Sequence, residues 1–179
     1  MDIVRLCIPY RFVCERTCMS WHDVRFGLVN QLLDPQAAIE MAVDQVGEHE
    51  DPSGSLLELA GASKNEPIRD LVERLAGGES PRSEEESRNK WLYLVLAWIY
   101  DHRSEDPDPL QRVEEVYADF GYPEHIASFV RYMPMQGPDL GSRKANEQRI
   151  FERWKRYLDE AAASYHPVGL PRSDPRMRQ

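Results

Sequence analysis

One stretch of the sequence, KWLYLVLAWIYD at residues 90–101, limits what the chain can fold into. Its middle ten residues, 91–100, are all apolar or aromatic, and a charged residue stands at each end. Because an α-helix has 3.6 residues per turn, ten consecutive apolar residues leave it without a polar face. The run is too short to cross a bilayer, which takes about 20 apolar residues. It holds more Leu, Trp and Ala than β-branched residues, which favours a buried helix over a buried strand.

The rest of the sequence predicts helices packed around this one. We expect an all-α fold, either an irregular bundle or a short solenoid-like array, with about eight helices around a central helix at about 84–101. No fixed sequence period of the kind seen in solenoid repeats occurs. Residues 1–165 are predicted to form a single helical domain, a size that suits one hydrophobic core. Residues 166–179 are rich in Pro and Arg and predict a disordered or loosely attached tail.

Local signals place several helix ends. Ser20 with Asp23, and Ser83 with Glu86, have the spacing of N-terminal caps. The first cap predicts a helix that runs to about residue 33, with Gly27 at a point where another helix packs closely. A short helix is expected at 9–17 and another after Pro123. The pattern leaves open whether residues 1–8 form a strand or an irregular lead-in.

The charge distribution argues against some functions. The chain carries 22 Lys/Arg and 31 Asp/Glu, a net charge of −9. Nucleic-acid binding is therefore not expected, since it requires a basic face to neutralise phosphates. The start of the chain lacks a signal-peptide pattern and no stretch is long enough to span a membrane, so we expect a cytoplasmic protein without a membrane partner. Three cysteines, an odd number, predict reduced thiols in that compartment.

Cysteine and histidine supply weak metal-site candidates near the start of the chain. Cys14, Cys18 and His22 are spaced by four residues each and would align on a continuous helix, with Cys7 as a further thiol. Zinc uses such ligands, but structural zinc sites favour two Cys separated by two to four residues on a turn. The predicted N-cap at Ser20 also interrupts the helix. Ordinary core or surface cysteines are the favoured interpretation, and no cofactor is expected.

Two histidines stand beside carboxylates, as a general base oriented by an acid would. They are found in the sequences His49-Glu50-Asp51 and Asp101-His102. Both lie in acidic segments where such neighbours arise by chance. Nucleophile-elbow, zincin, phosphate-loop and dinucleotide-binding motifs are absent from the sequence. The protein is therefore predicted not to be an enzyme, with an uncharacterised enzyme or a metal-binding protein kept as alternatives.

Aromatic and acidic residues supply the candidates for a partner-binding surface. Residues 117–134 are dense in aromatic side chains, which are common at the centre of interfaces. A packed corner between two short helices is the competing, and favoured, interpretation. The acidic loops 48–51 and 104–108 and the start of the central helix could form one negative patch if the fold brings them together. The candidate contact residues are Glu84, Glu85, Glu86, Asp106, Asp108, Tyr122 and Tyr132.

Three stretches together carry a family resemblance. They are SWHDVRFGLVNQLLDPQAAIEMA (20–42), KWLYLVLAWIYD (90–101) and VEEVYADFGYPEHIASFVRYMP (113–134). In this order they resemble a bacterial domain-of-unknown-function family, family 2247, over most of residues 9–160; the last stretch is the most specific. The resemblance implies a small, cytoplasmic bacterial protein without established catalytic residues, so it transfers no functional residue.

These observations favour a non-enzymatic protein-binding module. Small size, acidity and the lack of catalytic motifs suit an immunity protein that neutralises a polymorphic toxin, with an acidic surface facing a basic toxin domain. A homo-oligomer that associates through its aromatic corner is a further alternative.

Overall fold

The computed structural model describes residues 6–48, 50–63, 66–134 and 137–165. Within these ranges the chain forms eight α-helices, one 3₁₀ helix and no β-strand, which confirms the predicted all-α class. None of the described helices is both long and apolar enough to span a bilayer. The helices are α1 (Tyr10–Cys14), α2 (Trp21–Val29), α3 (Pro35–Glu48), α4 (Gly54–Ala60), α5 (Ile68–Gly78), α6 (Glu84–Asp101), α7 (Pro109–Asp119), the 3₁₀ helix (Glu124–Phe129) and α8 (Arg143–Tyr165).

Helix α6 is the buried centre of the molecule, as its apolar run predicts. Every residue from 91 to 100 is buried except Trp98 and Tyr100, which are half-buried. The helix begins at a Ser83 cap, whose Oγ accepts a hydrogen bond from Glu86 N at 3.2 Å. Burial of apolar surface stabilises a fold by about 25 cal/mol per Å², so this helix depends on its neighbours, which cover its apolar side chains.

The other helices surround α6 in two groups. On one side, α2 packs against α6 and α5, while α3, α4 and α5 pack against one another. On the other side, α7 and α8 pack directly on α6, and the 3₁₀ helix packs on α8. Ring contacts between Tyr100 and Trp154 and between Tyr93 and Tyr165 show that α8 runs antiparallel to α6.

Helix α2 approaches α6 closely because of a glycine. A Cβ atom added at Gly27 would overlap Cζ2 of Trp91 and lie 2.9 Å from its Cε2. The Trp91 ring cannot move away freely, since its Nε1 donates a hydrogen bond to Asp23 O at 2.7 Å. The predicted close packing at Gly27 is thus confirmed, and Trp91 is the residue that requires it.

The end of α2 differs from the prediction. The helix ends at Val29 rather than near residue 33, because Gln31 adopts a left-handed conformation with φ of +58°. Leu32 N then donates to Gly27 O at 2.8 Å, which closes the helix end in a Schellman arrangement. Leu32 is nevertheless fully buried. The apolar spacing therefore predicted correctly that Leu32 belongs to the core, but wrongly that it belongs to the helix.

Two further short elements also depart from the expected boundaries. Helix α1 ends at Cys14, three residues before the predicted position, and the element after Pro123 is a 3₁₀ helix. Ile8 N donates to Leu32 O at 2.9 Å, so the described part of the lead-in attaches to the turn that follows α2 and does not form a strand. The predicted tail at 166–179 and residues 1–5 lie outside the described residues.

Candidate partner-binding surface

The end of α7 presents an exposed tyrosine in an unusual backbone conformation. Gly121 and Tyr122 both have positive φ, +80° and +60°. Tyr122 N donates to Tyr117 O at 2.8 Å and Gly121 N donates to Ala118 O at 3.1 Å, the bonds of a Schellman motif. The Tyr117 and Tyr122 rings meet edge to face with centroids 5.3 Å apart. A left-handed conformation at a residue other than glycine costs about 1–3 kcal/mol, so Tyr122 holds its position against a local penalty.

A third tyrosine extends the same surface. The Tyr132 ring lies 6.1 Å from the Tyr117 ring at an interplanar angle of 59°. Tyr122 is 61% exposed and Tyr132 is 56% exposed, whereas Tyr117 is buried beneath them. We call Tyr117, Tyr122 and Tyr132 the tyrosine cluster. Two largely exposed aromatic side chains thus stand on one buried aromatic base.

An ion-pair network adjoins the tyrosine cluster. Arg131, the residue before Tyr132, donates to Glu114 Oε1 at 3.1 Å and to Asp108 Oδ2 at 2.9 Å. Asp108 also caps α7, since its Oδ1 accepts from Gln111 N at 3.1 Å. The hydrogen bond from Arg131 is the main reason that the pKa of the Asp108 carboxyl lies below its ordinary value. Asp108 is therefore charged near neutral pH.

A second arginine completes this network. Arg112 donates to Asp106 Oδ2 at 3.3 Å and to Glu115 Oε2 at 3.1 Å. Because four carboxylates face two guanidinium groups, the network keeps a net negative charge. Glu114 and Tyr117 are three residues apart on α7, so they share a helix face and the network borders the tyrosines. We call these six residues the acidic rim: Asp106, Asp108, Arg112, Glu114, Glu115 and Arg131.

The remaining acidic candidates lie elsewhere. Glu84, Glu85 and Glu86 occupy the first turn of α6, whereas Asp106 and Asp108 follow its other end. A helix of 18 residues is about 27 Å long, so the two groups do not form one patch. In loop 48–51, His49 lies outside the described residues. The structure thus joins Asp106, Asp108, Tyr122 and Tyr132 and separates the three glutamates from them.

The metal-site candidates are not brought together. Cys7 and Cys18 are exposed and Cys14 is half-buried at the end of α1, while His22 belongs to α2. The break between α1 and α2 removes the alignment that the four-residue spacing would give. Within the described ranges, no three His, Cys, Asp or Glu side chains are grouped so as to hold a metal ion. Nε2 of His22 is buried without a hydrogen-bond partner in the described structure.

Asp101 and His102 have separate partners. Arg16 Nη2 donates to Asp101 Oδ2 at 2.6 Å. Nδ1 of His102 lies 2.8 Å from Trp98 O, and the His102 ring stacks on the Trp98 ring with centroids 3.9 Å apart. These contacts fix the end of α6, and the Asp101 carboxylate does not orient the neighbouring imidazole.

A buried polar cluster between α2 and α6 escaped the sequence analysis. Asp23 is fully buried and forms a short ion pair with Lys90, whose Nζ also donates to Cys18 O at 2.9 Å. Ser87 Oγ donates to Asp23 Oδ1 at 2.8 Å, and Ser20 N donates to Oδ2 at 2.9 Å. Burial raises the pKa of the Asp23 carboxyl, but the hydrogen bonds from Lys90, Ser20 and Ser87 outweigh it and hold the pKa below its ordinary value. The only sequence signal was a lysine at the edge of an apolar run.

Fold and surface together define an all-α protein with an exposed aromatic surface on one side of a buried central helix. The sequence matches the family model described as an uncharacterized protein conserved in bacteria (DUF2247) over residues 10–162. The chain belongs to this family, which confirms the resemblance carried by the three sequence stretches. Comparison with curated proteins and with solved structures gives no match.

Proposed function

We propose that the protein is a protein-binding module and that the tyrosine cluster with the acidic rim is its contact surface. The observation that carries the proposal is the combination of two properties of Tyr122: its side chain is 61% exposed, and its backbone has a left-handed conformation. Strained conformations of this kind concentrate at functional positions. A turn that only ended α7 would be served with less strain by a small residue in place of Tyr122.

The cluster has the properties of an interface anchor. Tyrosine is enriched among residues that dominate binding energy, and it contributes a large contact area with few rotatable bonds. Because Tyr122 and Tyr132 already pack on Tyr117, they lose less freedom when a partner covers them. The acidic rim then surrounds the aromatic centre as the polar margin of an interface.

Charge indicates a basic partner. The whole chain has a net charge of −9 and the acidic rim itself is negative, so a basic protein would be attracted and oriented on approach. In its most specific form, the proposal is that of a cytoplasmic immunity protein whose partner is a basic toxin domain. The partner would be the product of an adjacent gene.

Binding of the purified product of the adjacent gene, followed by isothermal titration calorimetry, tests the proposal. Tyr122→Ala and Tyr132→Ala are each expected to weaken binding by about 30-fold, the effect of losing a dominant interface residue. Leu57→Ala is the control, since Leu57 is 49% exposed on α4, away from the cluster. Equal affinity of both tyrosine variants and the control would refute the assignment.

A charge test separates the rim from the rest of the acidic surface. Glu115→Lys in the rim is expected to slow association and to weaken its salt dependence. Glu85→Lys at the far end of α6 changes the net charge equally and is expected to have a smaller effect. Equal effects of the two reversals would remove the rim from the proposal. Self-association that Tyr122→Ala abolishes would identify a second copy of the chain as the partner.

A further inference from the structure

A second candidate site lies at the opposite half of α6. A cleft of about 400 Å³ opens where the start of α2, the first turns of α6 and the end of α8 meet. This volume falls at the small end of the range for ligand pockets, roughly 300–1,000 Å³. Its wall includes Asp23, Arg82, Glu86, Asn89 and Lys90.

The buried ion pair forms the floor of this cleft. Asp23 accepts hydrogen bonds from Ser87 Oγ, from both N and Oγ of Ser20 and from Lys90 Nζ, which together match the acceptor capacity of a carboxylate. A lysine ammonium has three N–H donors, and among the described residues Lys90 uses two of them, on Asp23 and on Cys18 O. Lys90 also lines the cleft, which leaves its third donor for a ligand. The pair thus fixes a cationic donor in place, with the Asp23 carboxylate already occupied by its own hydrogen bonds.

Two further side chains of the wall, Arg82 and Asn89, can donate hydrogen bonds. Arg82 and Asn89 line the cleft, and neither side chain has a hydrogen-bond or ion-pair partner among the described residues. Guanidinium, ammonium and amide N–H groups together are the donor set that recognises a carboxylate. The cleft therefore offers a binding position for a carboxylate near Lys90.

The Glu86 carboxylate, which has no hydrogen-bond or ion-pair partner in the described part of the chain, also lines the cleft. Ser83 accepts from Glu86 N, but the Glu86 carboxylate does not return a bond to the Ser83 backbone, in contrast to the complete capping box of Ser20 and Asp23 in α2. Glu86 precedes Asn89 and Lys90 by three and four residues, so these side chains are neighbours on α6. The Glu86 carboxylate is placed to receive an ammonium group.

We propose that this cleft binds a free α-amino acid, with the carboxylate on Lys90 and Arg82 and the ammonium on Glu86. Since Asp23 and Lys90 neutralise each other, Arg82 and Glu86 leave the wall with one positive and one negative charge, which suits a zwitterion. The end of a peptide chain carries only one of the two ligand groups, so a free amino acid is the class that satisfies both.

Thermal-shift measurements with the twenty protein amino acids, tested singly on the intact chain, identify the ligand. At a concentration of about 100 times the Kd, a bound amino acid is expected to raise Tm by roughly 5–10 °C. Its N-acetyl derivative lacks the ammonium and its amide lacks the carboxylate, so each is expected to bind about 10- to 100-fold more weakly in calorimetry. No binding by any of the twenty, or derivatives that bind as tightly as the free amino acid, overturns the proposal.

Paired variants test the two recognition positions. Arg82→Gln and Glu86→Gln alter exposed side chains, so the fold is expected to be retained and is checked by circular dichroism. Each is expected to weaken amino-acid binding by about 10- to 100-fold. The controls are Arg88→Gln and Glu85→Gln, which make the same charge changes at α6 residues that do not line the cleft. Unchanged affinity in the two cleft variants refutes the assignment, whatever the tyrosine cluster binds.

Discussion

Substitution of Gly27 by alanine tests the packing on which the fold depends. The added methyl group would overlap Cζ2 of Trp91 and lie 2.9 Å from Cε2. Overpacking of this kind costs about 1–3 kcal/mol. A shift of the Trp91 ring would also break its bond to Asp23 O, and a lost buried hydrogen bond costs about 1–3 kcal/mol. The higher helix propensity of alanine offsets up to about 1 kcal/mol of this loss of stability.

The net expectation is a loss of about 3 kcal/mol in the free energy of unfolding, which lowers Tm by roughly 6–12 °C for a chain of this size. Thermal and urea unfolding, followed by circular dichroism and tryptophan fluorescence, measure it. Gly47→Ala and Gly77→Ala are controls, since an added Cβ at either helical position meets no atom within 4 Å and stability should stay equal or rise. In Gly27→Ala with Trp91→Phe, the two losses should be less than additive. A Gly27→Ala protein as stable as the wild type would refute the close contact between α2 and α6.

Four further predictions concern the buried ion pair, its pH dependence, a helix cap and a strained residue. Asp23→Asn or Lys90→Met leaves one buried charge unpaired and is expected to cost about 3–5 kcal/mol in urea unfolding, whereas the double variant should recover most of it. The pKa of the Asp23 carboxyl is lower in the folded protein than in the unfolded chain, where it is about 3.9. The charged carboxylate therefore stabilises the fold above this value, and that stabilisation is lost as pH falls through the folded pKa. We expect Tm of the wild type to fall more steeply below about pH 4 than Tm of Asp23→Asn. Glu79→Ala removes the carboxylate that accepts from Trp21 N at 3.0 Å and should lower unfolding free energy by about 1 kcal/mol. Tyr122→Gly relieves the positive φ and should leave stability within about 1 kcal/mol of the wild type, whereas Tyr122→Val should lower it by about 1–3 kcal/mol.

The centre of the fold was predictable because its signal is local and strong. A run of ten apolar residues fixes the burial of α6 without any knowledge of its neighbours, and Ser83 marks where the helix begins. Gly27 was informative for the same reason, since a glycine inside an amphipathic helix predicts a close approach. The sequence did not reveal which side chain packs against Gly27, because Trp91 lies 64 positions further along the chain.

The predicted end of α2 was wrong because the apolar spacing continues through a turn that ends the helix. Leu32 continues the apolar stripe of α2, yet its side chain reaches the core from a left-handed turn at Gln31. A Gln has no special preference for positive φ, so tertiary packing selects that turn and local sequence does not reveal it. Tyr122 is a similar case, where only the preceding Gly121 signals the helix end.

The candidate site was predictable in part. Residues close in sequence, such as Arg131 and Tyr132, stay close in the fold, which is why the aromatic stretch yields one cluster. The acidic residues could not be grouped, since their arrangement depends on the length and direction of α6. Asp23 was assigned correctly as a capping residue, but its pairing with Lys90 joins two helices and has no local signature.

We expect the two proposed sites to act independently, because they lie at opposite ends of α6. Its first turns carry Glu86 and Lys90 toward the cleft, and its other end leads through a short loop into Asp108 and the acidic rim. Between them, residues 91–97 and 99 are buried among apolar neighbours. Since substitutions far apart without shared partners act additively, Arg82→Gln should leave partner binding unchanged and Tyr132→Ala should leave amino-acid binding unchanged. If either substitution changed binding at the other site, we would infer that α6 moves as a rigid body and transmits the change between its two ends.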